Sequence, residues 1–111
     1  MIRTLVVDDE RLVAEAHAAY VERIDGFEVA GVALSLQEAA RMLRDGGVDL
    51  VLLDMNLPDG HGLDLLRRLR VAGAGCDVVA LTAARDVGVV RDAVALGVVA
   101  YLIKPFSFES V

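Results

Sequence analysis

Short apolar runs alternate along the chain with longer stretches of helical period. Residues 2–7 predict a first strand, and its run Leu5-Val6-Val7 has no polar alternation, which suits a strand covered on both faces. Residues 10–24 predict a first helix with Val13, Ala16, Tyr20 and Ile24 on one stripe, ended by Asp25-Gly26. In residues 27–32, Phe27, Val29 and Gly31 alternate with Glu28 and Ala30, the pattern of a partly exposed edge strand. Ser35 and Glu38 have capping-box spacing and open a second helix over 36–44, which Asp45-Gly46-Gly47 terminates. A third strand, 48–53, is again continuously apolar. The Pro- and Gly-containing loop 57–62 after it continues neither helix nor strand. A third helix follows, with Leu65, Leu66 and Leu69 inward and Arg67, Arg68 and Arg70 outward, ended by Gly73-Ala74-Gly75. A fourth strand at 77–81, a fourth helix at 86–96 closed by Gly97, and a fifth strand at 99–103 complete the pattern. Ser107 can cap a fifth helix, of which the sequence holds only the start.

Strands alternating with helices in this way predict an α/β domain with a doubly wound parallel sheet. The unbroken apolar runs, strands one, three and four, belong at the centre, and strands two and five at the edges. The resulting order is 2-1-3-4-5, the flavodoxin-like arrangement, with its final helix largely missing and its switch point beside strand one. Strand one then ends at Asp8-Asp9 and neighbouring strand three at Asp54, while strand four ends at Thr82 and strand five at Lys104-Pro105. Ligands bind at that carboxyl edge in open α/β sheets.

The 111 residues suffice for one core, and 56% hydrophobic content with a mean hydropathy of +0.54 argues against disorder. No run is long enough to span a bilayer, and the N-terminus enters a strand without the features of a signal peptide. Cys76 is the single cysteine, which fits a reduced, cytoplasmic setting. The net charge of −6 argues against a grip on nucleic acid by this segment and suits a cation or a basic partner.

Three carboxylates at one sheet edge repel one another, and a hard divalent cation such as Mg²⁺ resolves the conflict with all-oxygen ligands. Mg²⁺ favours one or two carboxylates together with waters and phosphate oxygens, so a phosphate ligand is expected too. Asp54 would then be both a metal ligand and a nucleophile toward phosphorus. Lys104 would supply further positive charge, and Thr82 a hydroxyl for a phosphoryl oxygen.

Asp8-Asp9, Asp54, Thr82 and Lys104-Pro105, in this order and at these strand ends, resemble the signature of response-regulator receiver domains of two-component systems. The resemblance covers the whole chain. It implies Asp54 as phosphoacceptor from a sensor histidine kinase. It also implies Mg²⁺ held by Asp9, Asp54 and the backbone carbonyl of Asn56, with Asp8 bound directly or through water. It further implies Thr82 and Lys104 as phosphoryl-contacting groups, a cis peptide at Lys104-Pro105, and Tyr101 as an aromatic that changes rotamer on activation. Val13-Ala14-Glu15, Tyr20-Val21, Leu57-Pro58-Asp59-Gly60, the run from Thr82 to Val87 and the run from Tyr101 to Phe106 are similar to the citrate/C4-dicarboxylate group of bacterial regulators. Those carry a C-terminal helix-turn-helix. Residues 1–111 are accordingly expected to be a receiver cut near the start of its fifth helix, with a DNA-binding domain beyond it. Such a receiver partly catalyses its own phosphorylation without being a turnover enzyme.

Blander readings exist for single residues. Asp8 and Asp9 can cap the first helix, Thr82 can be an ordinary strand-end residue, Lys104 a solvated edge lysine, and Asn56 a turn residue. His17 and His61 read as surface residues, and Cys76 as a small buried or semi-buried thiol. Two apolar stripes on the fourth helix, Val87/Val90/Val94 and Val89/Ala93/Leu96, suggest either deep burial or, with strand five beside it, the favoured reading of a partner surface that includes a homodimer contact. Two rival functions are a haloacid-dehalogenase-like phosphatase, whose strand-one Asp-x-Asp spacing Asp8-Asp9-Glu10 lacks, and a receiver-like scaffold that is never phosphorylated.

Overall fold

A computed structural model describes residues 1–73, 75–83, 87–98 and 100–104; the side chains of residues 82, 83, 87, 89, 90, 93 and 101–104 lie outside that description. The chain runs β1 (Ile2–Val7), α1 (Arg11–Glu22), β2 (Phe27–Ala33), α2 (Leu36–Arg44), β3 (Leu50–Asp54), β4 (Asn56–Leu57), β5 (Gly60–His61), α3 (Gly62–Val71), β6 (Asp77–Ala83), α4 (Val87–Ala95) and β7 (Ala100–Lys104). The main sheet is parallel with order β2-β1-β3-β6-β7, which is the predicted 2-1-3-4-5 arrangement.

The apolar strands are continuous because both sheet faces are covered. Leu5, Val7, Val51, Leu53, Val78 and Ala80 point into a larger cluster with Leu36 and Ala39 of α2 and with Leu63, Leu65, Leu66 and Leu69 of α3. Val6 and Leu52, on the other face, meet Ala14 and Val21 of α1. Alternate side chains of one strand therefore serve two cores.

Several local expectations change. The buried stripe of α1 is Ala14, His17 and Val21, while Ala16 is exposed and Ile24 is 38% exposed beyond the helix. The helix is turned by one residue from the predicted face, because the small Ala14 and half-buried Ala18 meet the second core. His17 sits within that stripe and interrupts its hydrophobic pattern. Edge strand β2 does not alternate: its first six residues are all half-buried. A register shift opposite Thr4/Leu5 leaves Ala30 as the extra residue and breaks the period of two. The loop after β3 holds a two-residue antiparallel ribbon, β4 with β5, where none was predicted. The capping box at α2 forms: Ser35 Oγ accepts from Glu38 N–H at 3.1 Å, and Glu38 Oε2 accepts from Leu34 N–H at 2.7 Å.

Leu66 is fully buried between α3 and the sheet, whereas Leu12 of α1 is 81% exposed. Leu66→Ala is expected to cost about 2–5 kcal/mol in urea unfolding, and Leu12→Ala no more than about 0.5 kcal/mol. Similar costs for the two would contradict this core.

Candidate functional site

β1 and β3 lie side by side with Val7 opposite Leu53, so the next residues, Asp8 and Asp54, share the carboxyl edge of the sheet. Asp8 is 0% and Asp54 4% exposed, while Asp9 is exposed. One carboxylate oxygen from each of the three falls within 4.8 Å of the others. Backbone amides orient the two buried groups. Asp8 Oδ1 accepts from Glu10 N–H at 3.0 Å, and Asp54 Oδ1 accepts from Asn56 N–H at 3.0 Å. Each is a side chain bonding two residues onward, a turn that leads the chain away from the sheet edge. Asp8 thus both opens α1 and joins the acidic group.

Like charges at this separation repel by on the order of 3–4 kcal/mol per pair at an effective dielectric constant of ~20. Hard oxygen donors crowded in this way fit a divalent cation of the Mg²⁺ or Ca²⁺ kind. The three oxygens are near enough to one another for a single such ion to engage them directly or through water.

The turn after Asp54 is packed to glycine tolerance. Gly62 N–H donates to Met55 O at 2.8 Å, and a Cβ on Gly62 would stand 2.9 Å from Asp54 O and from Met55 Cα. Gly60 adopts φ +152° with Leu36 Cδ1 2.8 Å from where its Cβ would be. Asp59 ties the ribbon to α2: its Oδ1 accepts from Leu36 N–H at 2.9 Å and its Oδ2 from Gln37 N–H at 3.0 Å. These amides hold the Asp59 carboxyl below its usual 3.8, against an opposing push from desolvation. Sequence reasoning missed Asp59, because its partners lie more than twenty residues away. Asn56 is exposed and contributes its backbone amide to Asp54.

Leu81 of β6 pairs with Asp54, which places Thr82 next along the strand beside the acidic edge. Thr82 in turn pairs with Ile103 of β7, and Ala83 with Lys104. The backbone thus brings Thr82 and Lys104 to the edge that holds Asp54. The side chains of Thr82, Tyr101 and Lys104, and the Lys104-Pro105 peptide, lie outside the described residues.

The two histidines are not surface bystanders. His17 is 8% exposed within the α1 stripe, and His61 Nδ1 accepts from Leu63 N–H at 3.1 Å, capping α3. Among the described residues, neither joins the acidic cluster. Cys76 is buried as expected; burial pushes its thiol up, with the Arg70 charge acting against that shift, so it remains protonated at neutral pH.

Residues 4–111 match the response regulator receiver domain family. This chain belongs to that family. Over 109 residues, 98% of the chain, the receiver is 41% identical to the transcriptional regulatory protein MalR of Bacillus subtilis, covering 46% of that protein. It is 34% identical over 109 residues to the "Probable C4-dicarboxylate response regulator DctR" of Halalkalibacterium halodurans, covering 98% of this chain and 47% of the relative. The chain thus spans about half the length of these relatives. Its fold is similar to that of a LuxR-family DNA-binding response regulator from Staphylococcus aureus, with TM-score 0.90, 22% identity and coverage of 99% and 92% of the two chains. The receiver family, rather than the phosphatase rival, accounts for the sequence. Among the described residues of the receiver, no helix is long and apolar enough to cross a membrane.

Gly62→Ala should push the Asp54–Met55 peptide away from α3, lowering stability by about 1–3 kcal/mol and shifting the NMR resonances of residues 54–56. Unchanged resonances there would show that the turn has slack. The Asp59 tie has a defined pH sign. With a folded-state pKa below the unfolded value, its contribution is present above the unfolded pKa and lost as pH falls through the folded one. The stability difference between wild type and Asp59→Asn is therefore expected to be constant near neutrality and to shrink below pH 3.8. A pH-independent difference would rule out the carboxylate as the tie.

Proposed function

We propose that the receiver is a phosphorylation switch in which Asp54 accepts a phosphoryl group from the phosphohistidine of a sensor histidine kinase. The observation that carries this reading is the convergence of buried Asp8 and Asp54 with Asp9 at one sheet edge. The Asn56 amide on Oδ1 orients the Asp54 carboxylate, one oxygen of which is the nucleophile. A phosphorus–oxygen bond forms as the phosphorus–nitrogen bond breaks, and the imidazole departs with the bonding pair and takes up a proton. Mg²⁺ held by Asp8, Asp9, Asp54 and the Asn56 carbonyl would supply positive charge to the phosphoryl oxygens. The chain's own part is positioning. The Glu10 and Asn56 amides fix the two buried carboxylates, and the close Gly62 contact keeps the turn in place. Thr82 donates its hydroxyl, and Lys104 its ammonium, to the new phosphoryl group. The receiver assists its own modification and turns over no separate substrate.

The output in this reading is a change of the α4/β7 face, with Thr82 moving toward the phosphoryl group and Tyr101 turning inward. Moving a two-state equilibrium from 1:99 to 99:1 takes about 5.5 kcal/mol, a scale that a dianionic group with new charge-assisted hydrogen bonds can reach. Residues 1–111 are one domain of a longer cytoplasmic transcriptional regulator that responds to di- or tricarboxylates through its kinase. A C-terminal effector domain contacts DNA, in keeping with the net charge of −6 here. The α4/β7 face is the candidate homodimer contact.

Intact-mass measurement after incubation with acetyl phosphate tests the reading. Expected is a gain of one phosphoryl group with Mg²⁺, none with chelator and none in Asp54→Asn. Persistence of the added mass in Asp54→Asn would remove Asp54 as acceptor.

A further inference from the structure

Helices α2 and α3 cover the same face of the sheet. Each follows a parallel strand and returns to the start of the next, so both begin at the edge that holds Asp54 and end at the opposite edge. Between them lies an open cleft of about 660 Å³. Its floor is apolar, with Leu36 and Leu43 from α2 and Leu65 and Leu69 from α3. The small side chains of Ala40 and Ala72 also line it and fill little of its space.

Four charged residues border the cleft, and they are not equivalent. Asp59 and Asp64 stand at its N-terminal end, and both are engaged. Asp59 takes the Leu36 and Gln37 amides, and Asp64 Oδ1 faces Arg67 Nη1 at 3.5 Å. Arg44 and Arg68 lie in the last turns of α2 and α3, at the other end. Both are exposed, and among the described residues neither guanidinium has a hydrogen-bond or ion-pair partner. Arg70, which the sequence pattern places outward beside them, turns inward instead. Its Nε donates to Leu96 O at 2.7 Å, its Nη2 to Gly97 O at 3.2 Å and its Nη1 to Cys76 O at 3.4 Å. The cations left for a ligand are therefore Arg44 and Arg68, at one end of an apolar floor.

This arrangement selects a ligand by shape and by charge. The nine residues of α2 give the cleft a length of about 13 Å, and its volume falls in the range of roughly 300–1,000 Å³ usual for small-molecule sites. A guanidinium fork matches the two oxygens of a carboxylate. A second anionic group at the far end would meet Asp59 and Asp64 and be repelled. We propose that the α2/α3 cleft binds an amphipathic monocarboxylate, its head on Arg44 and Arg68 and its apolar chain along Leu43, Leu69, Leu65 and Leu36. The site is separate from the acidic sheet edge, yet Leu36 joins the two. Its Cδ1 lies 2.8 Å from where a Cβ on Gly60 would be, and its amide is held by Asp59. A chain resting on Leu36 therefore bears on the ribbon after Asp54, and occupancy of the cleft is felt at that turn.

Titration of the unmodified receiver with octanoate, followed by amide NMR, tests the site, with octanol and succinate as comparison ligands. Octanoate should give saturable shifts at Ala40, Leu43, Arg68 and Leu69, with a dissociation constant of about 1 mM. Octanol lacks the charge and succinate the chain, so each should bind at least about tenfold more weakly. Arg44→Gln and Arg68→Gln should each weaken octanoate binding by about tenfold, while Arg41→Gln, which removes a charge outside the cleft, leaves it within about twofold. No saturable shift on α2 and α3, equal binding of octanol or succinate, or equal loss in Arg41→Gln would overturn the site. Shifts should also reach Asn56 and Gly60, and Leu36→Ala should abolish these while those at Arg68 remain. Shifts confined to α2 and α3 in the wild type would overturn the link to the Asp54 turn. None of these measurements requires phosphorylation, so their outcome is independent of the proposed switch.

Discussion

Two carboxylates buried side by side are the constraint around which this receiver is built. Parallel pairing of β1 with β3 puts Asp8 and Asp54 at one edge, and burial denies them the water that would otherwise screen their charge. An arrangement that holds like charges close in a folded core needs local compensation. Each carboxylate obtains part of it from the backbone amide two residues onward, Glu10 for Asp8 and Asn56 for Asp54. With exposed Asp9 they form a group of oxygens that could hold a metal ion. The two sheet faces around this edge contribute differently. The α2/α3 face carries the larger core, with long leucines at Leu63, Leu65, Leu66 and Leu69, while α1 meets the other face through alanines.

The elements near the pair act mainly to keep it in place. The two-residue ribbon after β3 is fastened at three points: Gly62 against Met55, Gly60 against Leu36, and Asp59 on the amides of α2. None of these touches the acidic oxygens, yet each limits how far the Asp54 turn can drift. Arg70 does comparable work at the opposite end of the molecule, where its guanidinium joins α3, α4 and the lead into β6. Backbone carbonyls and amides, rather than pairs of charged side chains, are the common partners. The ion pairs among the described residues, Arg3 with Glu28 and Arg67 with Asp64, are exposed and worth little.

The architecture and the identity of the acidic residues are legible in the chain's own pattern. Continuous apolar runs in strands one, three and four can be satisfied only by burial on both faces, so the strand order follows from composition along the chain. A charged residue directly after such a run must lie at a strand end, which places Asp8 and Asp54 from the sequence. Local chemistry was equally readable, as in the Ser35/Glu38 box. Helix rotation and contacts with distant partners emerge only on folding. The α1 stripe falls on Ala14, His17 and Val21, because small residues permit close approach and a polar residue hides within the buried face. Arg70 turns inward and Asp59 reaches α2, because their acceptors and donors come from segments that are near in space and remote in sequence. Period and propensity act over a few residues. Contacts that join separate helices to one another and to the strand ends exist only once the sheet has brought them together.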